Sequence, residues 1–316
     1  MKIPIAKPYL GKEEADYAHE TILSGWVTQG PKVQEFEEKF ANYVGSNYAV
    51  AVSNCTTALQ LSLIVGGIQS GDEVIVPSMS YIATANCVVH VGATPVFAEV
   101  NSDFNLDLAD VKNKVTSKTK AIILVHQIGM PADIDEFTAF CKENNILLIE
   151  DAACAVGAEY KGKKIGSHSD FVCFSFHPRK VITTGDGGMI TTPNQKHAER
   201  LKLLRQHGMS INDRVRHKSK KVMMEEHVEI GYNFRMTDIQ AAVGIKQLDR
   251  LDWIVSERRK VAQFYINKLK VIDCIELPDE GTFKISNYQS FATTLKENCS
   301  ISRNDLMQKM LDVGIA

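Results

Sequence analysis

The sequence predicts an α/β fold built on a largely parallel sheet, followed by a smaller C-terminal α+β unit. Three observations carry that expectation. Short apolar runs alternate with helical patterns from Tyr48 to Glu150. Those runs are apolar on both faces, as strands are when helices cover both sides of a sheet. Near Thr237 the pattern changes to one long helical period. The expected division is therefore a large domain over residues 1–237, with its N-terminal segment, and a small domain over residues 238–316.

Each element follows from local pattern. Pro31 to Val44 reads as a helix because Val33, Phe36, Phe40 and Val44 share one face and Gly45 supplies a stop. Tyr48 to Ser53 reads as a strand and Thr57 to Val65 as a helix. Glu73 to Val76 is a strand and Ile82 to Val91 a helix. Thr94 to Ala98 and Thr119 to Val125 are strands flanking a helix at Leu108 to Val115. Asp133 to Asn144 is helical, Ile146 to Glu150 is a strand, and so is Phe171 to Phe176. In the second unit, Asp238 to Leu269 carries an unbroken helical pattern through Ile239, Val243, Ile245, Leu248, Leu251 and Ile254. A strand at Ser290 to Leu295 and a helix at Arg303 to Val313 follow. The chain stops at Gly314-Ile-Ala316, where a further strand is expected, so the small domain is expected to be incomplete and the natural chain longer.

Composition narrows the function. With 36 Lys+Arg against 38 Asp+Glu the net charge is −2, so no basic field favours nucleic acid or an anionic membrane. Met1 to Pro8 lacks the apolar core and cleavage site of a signal peptide. The longest apolar runs, Ala121 to Val125 and Ile146 to Ile149, are strand-sized and too short to span a bilayer. Seven cysteines, without a C-x-x-C pair, argue against a disulfide framework and a structural zinc site. The expectation is a cytoplasmic protein. Asn54-Cys-Thr and Asn298-Cys-Ser match the glycosylation pattern but carry no weight there.

The most informative stretch is Ser175-Phe-His-Pro-Arg-Lys180-Val-Ile-Thr-Thr-Gly-Asp-Gly-Gly188. A lysine is ordinarily a solvated surface residue. Lys180, however, sits on a Thr/Gly-rich turn at the end of an apolar strand. There it is expected to be partly desolvated, to lose its proton near neutral pH and to attack a carbonyl as a Schiff-base nucleophile. Cys55-Thr56-Thr57 follows a strand and opens a helix, which reads either as an ordinary N-cap cluster or as a phosphate cup. No G-x-G-x-x-G follows any strand, and Gly157-x4-Gly162-Lys163-Lys164 has Lys where a P-loop needs Ser or Thr, so it reads as a turn.

Glu150-Asp151-Ala-Ala-Cys154 ends the most apolar strand, at the sheet edge where ligands of open α/β sheets bind. Two acids there suggest a metal, but no His or third carboxylate follows at ligand spacing. A carboxylate at that edge gains a function if it must keep a cationic ring nitrogen protonated. His126, His177, His207 and His217 are scattered, without metal-site spacing, so no metal is expected. The basic run Arg214 to Lys221 reads as a solvated loop, with a diphosphate-greeting role as the sharper alternative.

In order along the chain, Ser24-Gly-Trp-Val-Thr-Gln-Gly-Pro31, Ala51-Val-Ser-Asn-Cys-Thr-Thr-Ala-Leu59, Gly71-Asp-Glu-Val-Ile-Val-Pro77, Gly92-Ala-Thr-Pro95, Pro131-Ala-Asp-Ile-Asp135, Glu150-Asp-Ala-Ala153, Ser175 through Gly188 and Gly231-Tyr-Asn-Phe-Arg-Met236 resemble the DegT/DnrJ/EryC1/StrS family of sugar aminotransferases. The resemblance covers essentially the whole chain. It implies a type I aminotransferase fold, pyridoxal 5′-phosphate as cofactor and a homodimer with active sites at the interface. By resemblance, Lys180 looks like the Schiff-base lysine, Asp151 the partner of the pyridine nitrogen and Tyr81 the ring that stacks on the cofactor. Thr56, Ser175 and the backbone of Cys55 look like the phosphate cup, completed by Asn233 of the neighbouring subunit, with Arg235 as a second cross-subunit candidate.

Three positions depart from the family pattern. Cys55 replaces a small glycine. Cys154 stands near the cofactor's phenolic oxygen where His, Gln or Glu is usual. Asp186 replaces a Glu. Members in which His replaces the lysine are sugar dehydratases; Lys180 is intact, which favours transamination.

Thr56-Thr57, Tyr81-Ile-Ala-Thr-Ala, Phe104-Asn-Leu-Asp and Ile182-Thr-Thr-Gly most resemble the perosamine-synthase branch, which aminates C4 of a GDP-linked 4-keto-6-deoxy sugar. The expected activity is therefore amino transfer, from L-glutamate or another amino acid, to a nucleotide-linked 4-keto-6-deoxy sugar for surface polysaccharide. The alternatives are a 3-keto-sugar aminotransferase, a sugar dehydratase, or a cofactor-binding regulator without turnover.

Overall fold

The structure, a computed structural model, describes residues 2–210 and 224–316. The basic run Arg214 to Lys221, including His217, lies outside the described residues. The first part contains α1 (Lys12–Leu23), α2 (Pro31–Val44), β1 (Tyr48–Val52), α3 (Cys55–Val65), β2 (Glu73–Pro77), α4 (Ala83–His90), β3 (Thr94–Ala98) and α5 (Leu108–Lys114). It continues through β4 (Thr119–Val125), α6 (Ile134–Asn144), β5 (Leu147–Asp151), a short hairpin of β6 (Glu159–Tyr160) and β7 (Lys163–Lys164), β8 (Phe171–Ser175), β9 (Gly188–Thr192) and α7 (Gln195–Leu204). After residue 224 come α8 (Asp238–Asp249), α9 (Leu251–Leu269), β10 (Ile275–Glu276), β11 (Lys284–Ile285), β12 (Thr294–Leu295) and α10 (Arg303–Asp312).

The central sheet has seven strands in the order β1-β9-β8-β5-β4-β2-β3. β3, β2, β4, β5 and β8 pair in parallel, whereas β9 runs antiparallel to both β8 and β1. The mostly parallel α/β architecture expected from the pattern is thus the one found. Strand β9 is an addition that the Thr/Gly-rich sequence before it did not announce. Gly157 to Lys164 folds as the β6–β7 hairpin, as its turn-like sequence suggested.

Helices cover the sheet on both sides. On one, the rings of Phe36 and Phe40 from α2 meet Phe174 and Phe176 of the β8 segment, with Phe40 and Phe174 edge to face at 4.9 Å. All four side chains are fully buried, each contributing roughly 1.5–3 kcal/mol of transfer energy. On the other side, α3 lays Leu59 and Leu63 against Val50, Ile149 and Cys173. Gly45 ends α2 in the left-handed region (φ 73°), where a side chain would be strained.

Two expectations in the C-terminal part change. The long helix expected over Asp238 to Leu269 is broken at Arg250 (φ −108°, ψ 1°), giving α8 and α9. The break falls where Gln247 and Arg250 both reach back to Glu14 near the start of α1. The strand expected from Ser290 to Leu295 shrinks to Thr294–Leu295. Its first residues are drawn aside: the Ser290 N–H donates to Ile128 O (3.2 Å), and Arg258 Nη1 donates to the carbonyls of Tyr288 and Gln289.

Helix α8 is tied to the N-terminal part by one carboxylate. Asp238 is completely buried and accepts from the backbone N–H groups of Gly30 (2.7 Å), Lys32 (3.0 Å) and Val33 (3.0 Å), capping the start of α2. Those are the donors a helix N-terminus leaves unpaired. Asp238→Ala is expected to lower stability by about 3 kcal/mol, because buried N–H groups lose a charged acceptor. Asp238→Asn, which keeps one acceptor oxygen, is expected to cost less. Equilibrium denaturant titration of the variants checks both the loss and that order.

Candidate active site

A large cleft of ≈ 1310 Å³ opens at the C-terminal edge of the parallel strands, where open α/β sheets bind ligands. Of the sequence-selected residues, Cys55, Thr56, Tyr81, Asp151, Ser175 and Lys180 all line it. They come from five separate places in the chain: the start of α3, the approach to α4, the end of β5, the end of β8 and the loop after it.

The register of β9 brings two of these places together. Gly188 lies opposite Ser175 on one side and Val52 on the other. A Cβ on Gly188 would fall 2.5 Å from the carbonyl carbon and oxygen of Asn54 and 2.9 Å from the Cys55 nitrogen. The close approach therefore requires glycine. It sets the lysine-bearing loop directly against the N-terminus of α3. There Asn54 is the N-cap, its Oδ1 accepting from the Thr57 N–H at 2.9 Å. The backbone beyond that cap, at Cys55 and Thr56, faces the cleft as a helix N-terminus suited to an anion.

The loop from Phe176 to Gly187 is held internally. The Phe176 carbonyl accepts from the Thr184 N–H (3.0 Å) and from Thr183 Oγ1 (2.8 Å), and the Phe176 N–H donates to Gly187 O (2.9 Å). The Lys180 N–H donates to His177 O (2.8 Å), closing a turn that turns the lysine into the cleft. Lys180 Nζ donates to Cys154 Sγ at 3.2 Å.

Adjacent residues on a strand point to opposite faces, and this separates the two acids of Glu150-Asp151. Glu150 is fully buried and its Oε2 lies 2.8 Å from His126 Nε2. His126 Nδ1 accepts from the Ala132 N–H (3.1 Å), so the proton of the neutral ring sits on Nε2 and is donated to Glu150. Burial pushes the Glu150 carboxyl up, but the hydrogen bond from His126 holds it below the ordinary range. This acid is occupied in the core.

Asp151 faces the cleft instead. Its Oδ2 accepts from Thr84 Oγ1 (3.0 Å) and its Oδ1 from the Ala153 N–H (3.1 Å). Burial nevertheless raises its pKa, against the opposing pull of the Ala153 N–H and Lys180. A buried carboxylate raised in this way is stabilised by a cation brought beside it. Thr84 went unnoticed in the sequence, and the Oγ of Ser80 in turn lies 2.8 Å from its hydroxyl. An ordinary threonine in the first turn of a helix gives no signal of its own.

Lys180 differs from expectation. Burial alone would lower its pKa, but Cys154, Asp151 and Cys55 outweigh it and hold the amine above the ordinary lysine value. These neighbours act against the expected loss of its proton near neutral pH. Burial raises the thiols of Cys154 and Cys55 as well, so neither is a ready thiolate.

Tyr81 is 72 % exposed, its ring open on the cleft side. Cys154 reaches the site through Lys180. Asn233 and Arg235 are not among the cleft's lining residues; they lie beside one another, Arg235 Nε donating to Asn233 Oδ1 at 3.0 Å. Asp186 lines the cleft. A second overlooked residue is Asn287, whose Nδ2 donates to the carbonyls of Cys154 and Val156, both at 2.8 Å, fixing the turn after Asp151.

The DegT/DnrJ/EryC1/StrS aminotransferase family model matches residues 8–316. The chain is 40% identical over 317 residues to the GDP-perosamine synthase of Caulobacter vibrioides, covering 99% of this chain and 83% of that protein. It is 42% identical over 283 residues to the spore coat polysaccharide biosynthesis protein SpsC of Bacillus subtilis, covering 88% and 73%. Among solved structures, the PLP form of a putative sugar aminotransferase, Spr1654, from Streptococcus pneumoniae superposes with a TM-score of 0.90 at 31% identity, over 100% of this chain and 84% of that one.

Removing the Cys154 sulfur is expected to lower the Lys180 pKa, since it is the strongest of the groups raising it. Cys154→Ala should then expose more neutral amine at a given pH, shifting the pH profile of Lys180 acetylation in the cofactor-free protein to lower pH. Peptide mass mapping across a pH series reads this directly; an unshifted profile would show that the sulfur does not hold the ammonium. Gly188→Ala is expected to displace the start of α3 and cost about 1–3 kcal/mol, as overpacking does. A drop in thermal midpoint together with weakened binding of inorganic phosphate checks it.

Proposed function

We propose that this chain, which belongs to the DegT/DnrJ/EryC1/StrS aminotransferase family, transfers an amino group from an amino acid, L-glutamate by preference, to C4 of a nucleotide-linked 4-keto-6-deoxy sugar. The enzyme is an aminotransferase of the pyridoxal 5′-phosphate class. The observation that carries the reading is the convergence of Lys180, the buried carboxylate of Asp151 and the N-terminus of α3 in one cleft.

Those residues fit the cofactor. The backbone at Cys55 and Thr56, with the Ser175 hydroxyl, would hold the phosphate. Asp151, its pKa raised by burial, would pair with the ring nitrogen. The exposed ring of Tyr81 would cover the face of the pyridine, and Lys180 would bind its aldehyde carbon. Asn233 of a second copy would complete the phosphate site in a homodimer, with Arg235 beside it. When bound, the cofactor supplies an electron sink for negative charge at the donor's α-carbon.

The remaining chemistry belongs to this chain's residues. Lys180 Nζ, turned into the cleft by the bond from its N–H to the His177 carbonyl, would remove the proton from the donor's α-carbon and later give it back. Positioned acid–base groups of this kind contribute about 10²–10⁴-fold. The Asp151 carboxylate, oriented by Thr84 and the Ala153 N–H, would favour the charged form of the ring nitrogen. The same residues run in reverse deliver the nitrogen to the keto sugar. Similarity to GDP-perosamine synthases supports C4 amination and a GDP-linked acceptor. The intact Lys180 supports transamination over dehydration.

Incubation with glutamate and a panel of nucleotide-linked 3- and 4-keto sugars, read by product mass and position of the amine, tests the reading. A 4-amino sugar from the GDP-linked 4-keto-6-deoxy substrate is expected. A 3-amino product, or a deoxy product without nitrogen, would overturn it. Asp151→Asn is expected to reduce turnover by at least on the order of 10²-fold with the cofactor still loaded, measured as single-turnover release of 2-oxoglutarate.

A further inference from the structure

Two of the seven cysteines lie against one another outside the cleft lining. Cys274 and Cys299 place their sulfurs 2.6 Å apart on the periphery of the C-terminal part, both only partly buried. The backbone brings them there. β10 pairs antiparallel with β12, so that Ile275 faces Leu295. The Lys296 N–H donates to the Cys274 carbonyl (2.9 Å), and the Cys299 N–H donates to Lys296 O (3.0 Å), a turn that returns the chain to Cys274. The other five thiols are placed differently: Cys87, Cys141 and Cys173 are buried, while Cys55 and Cys154 belong to the cleft.

We propose that Cys274 and Cys299 are a redox-active dithiol that closes to a disulfide and thereby pins the segment it brackets. Residues 275–298 include groups that support the cleft. Asn287 holds the Cys154 and Val156 carbonyls, Gln289 Nε2 donates to the Arg179 carbonyl one residue before Lys180 (2.8 Å), and the Ser290 N–H binds Ile128. Regular structure within the segment is short, since β10, β11 and β12 are two residues each. A cross-link between the ends removes chain freedom from this segment.

The closing step needs a small-molecule disulfide. One cysteine thiolate attacks a sulfur of oxidised glutathione, expelling one glutathione thiolate and leaving a mixed disulfide. The second cysteine thiolate attacks the cysteine sulfur of that mixed disulfide and expels the second glutathione. The two cysteines give up two protons and two electrons; the glutathione disulfide gains both and leaves as two thiols. Partly exposed disulfides of this kind are the ones readily reduced again.

The full chain with pyridoxal phosphate is equilibrated across graded ratios of oxidised to reduced glutathione, quenched by alkylation and mapped by peptide mass. Cys274 and Cys299 are expected to lose alkylation together in one reversible two-electron transition and to appear as a linked peptide pair. Hydrogen exchange over residues 286–291 is expected to slow in the linked form. Cys274→Ser and Cys299→Ser should each leave the other cysteine as a mixed disulfide with glutathione, without slower exchange. Independent alkylation of both cysteines at every ratio, a link to any of the other five, or identical exchange in the open and linked forms would overturn the proposal. None of these outcomes depends on which sugar the cleft accepts.

Discussion

The absence of a side chain at Gly188 is the constraint on which the site depends. Where β9 enters the sheet between β8 and β1, the backbone of Gly188 lies so near Asn54 and Cys55 that no Cβ fits. That contact fixes the distance between the loop carrying Lys180 and the helix whose N-terminus can hold an anion. Lys180 and the N-terminus of α3, 125 positions apart in the sequence, thereby line one cleft. The strand that does this runs against its neighbours, which is why β9 interrupts an otherwise parallel sheet.

Strand alternation then sorts the charges. Two consecutive acids end β5, and the two-residue period turns one to the core and the other to the cleft. Glu150 Oε2 accepts from a histidine whose other ring nitrogen is already engaged by the backbone. Asp151 is left buried with hydrogen-bond donors but, among the described residues, no directly bonded cation, an arrangement that favours a positive charge brought beside it. Lys180 completes the balance. Cys154, Asp151 and Cys55 around it hold its pKa above the ordinary lysine value, against the downward pull of burial. Cys154 is thus more than a departure from a family pattern: its sulfur is the group to which the resting lysine donates.

Much of this was legible in the sequence where the physics is local. The parallel strands announced themselves as short runs apolar on both faces, and α2 by Val33, Phe36, Phe40 and Val44 with Gly45 as stop. The break at Arg250 was invisible, because it accompanies contacts of Gln247 and Arg250 with Glu14, more than two hundred positions away. The shortened strand before Leu295 has a similar origin, Ser290 being bonded to Ile128 and the two residues before it to Arg258. At the site, Lys180, Asp151 and the Cys55–Thr57 turn carried chemical signals of their own. Thr84 and Asn287 did not: each is an unremarkable polar residue until the fold sets it beside a carboxylate or a carbonyl.

The central claim is that Lys180, and no other lysine, is the group that takes up the cofactor's aldehyde. Borohydride reduction of the protein in the presence of pyridoxal phosphate, followed by peptide mass mapping, tests it most directly. The account predicts one stable adduct, on Lys180, and none in Lys180→Ala. An adduct confined to another lysine, or equal labelling of the Lys180→Ala protein, would contradict it.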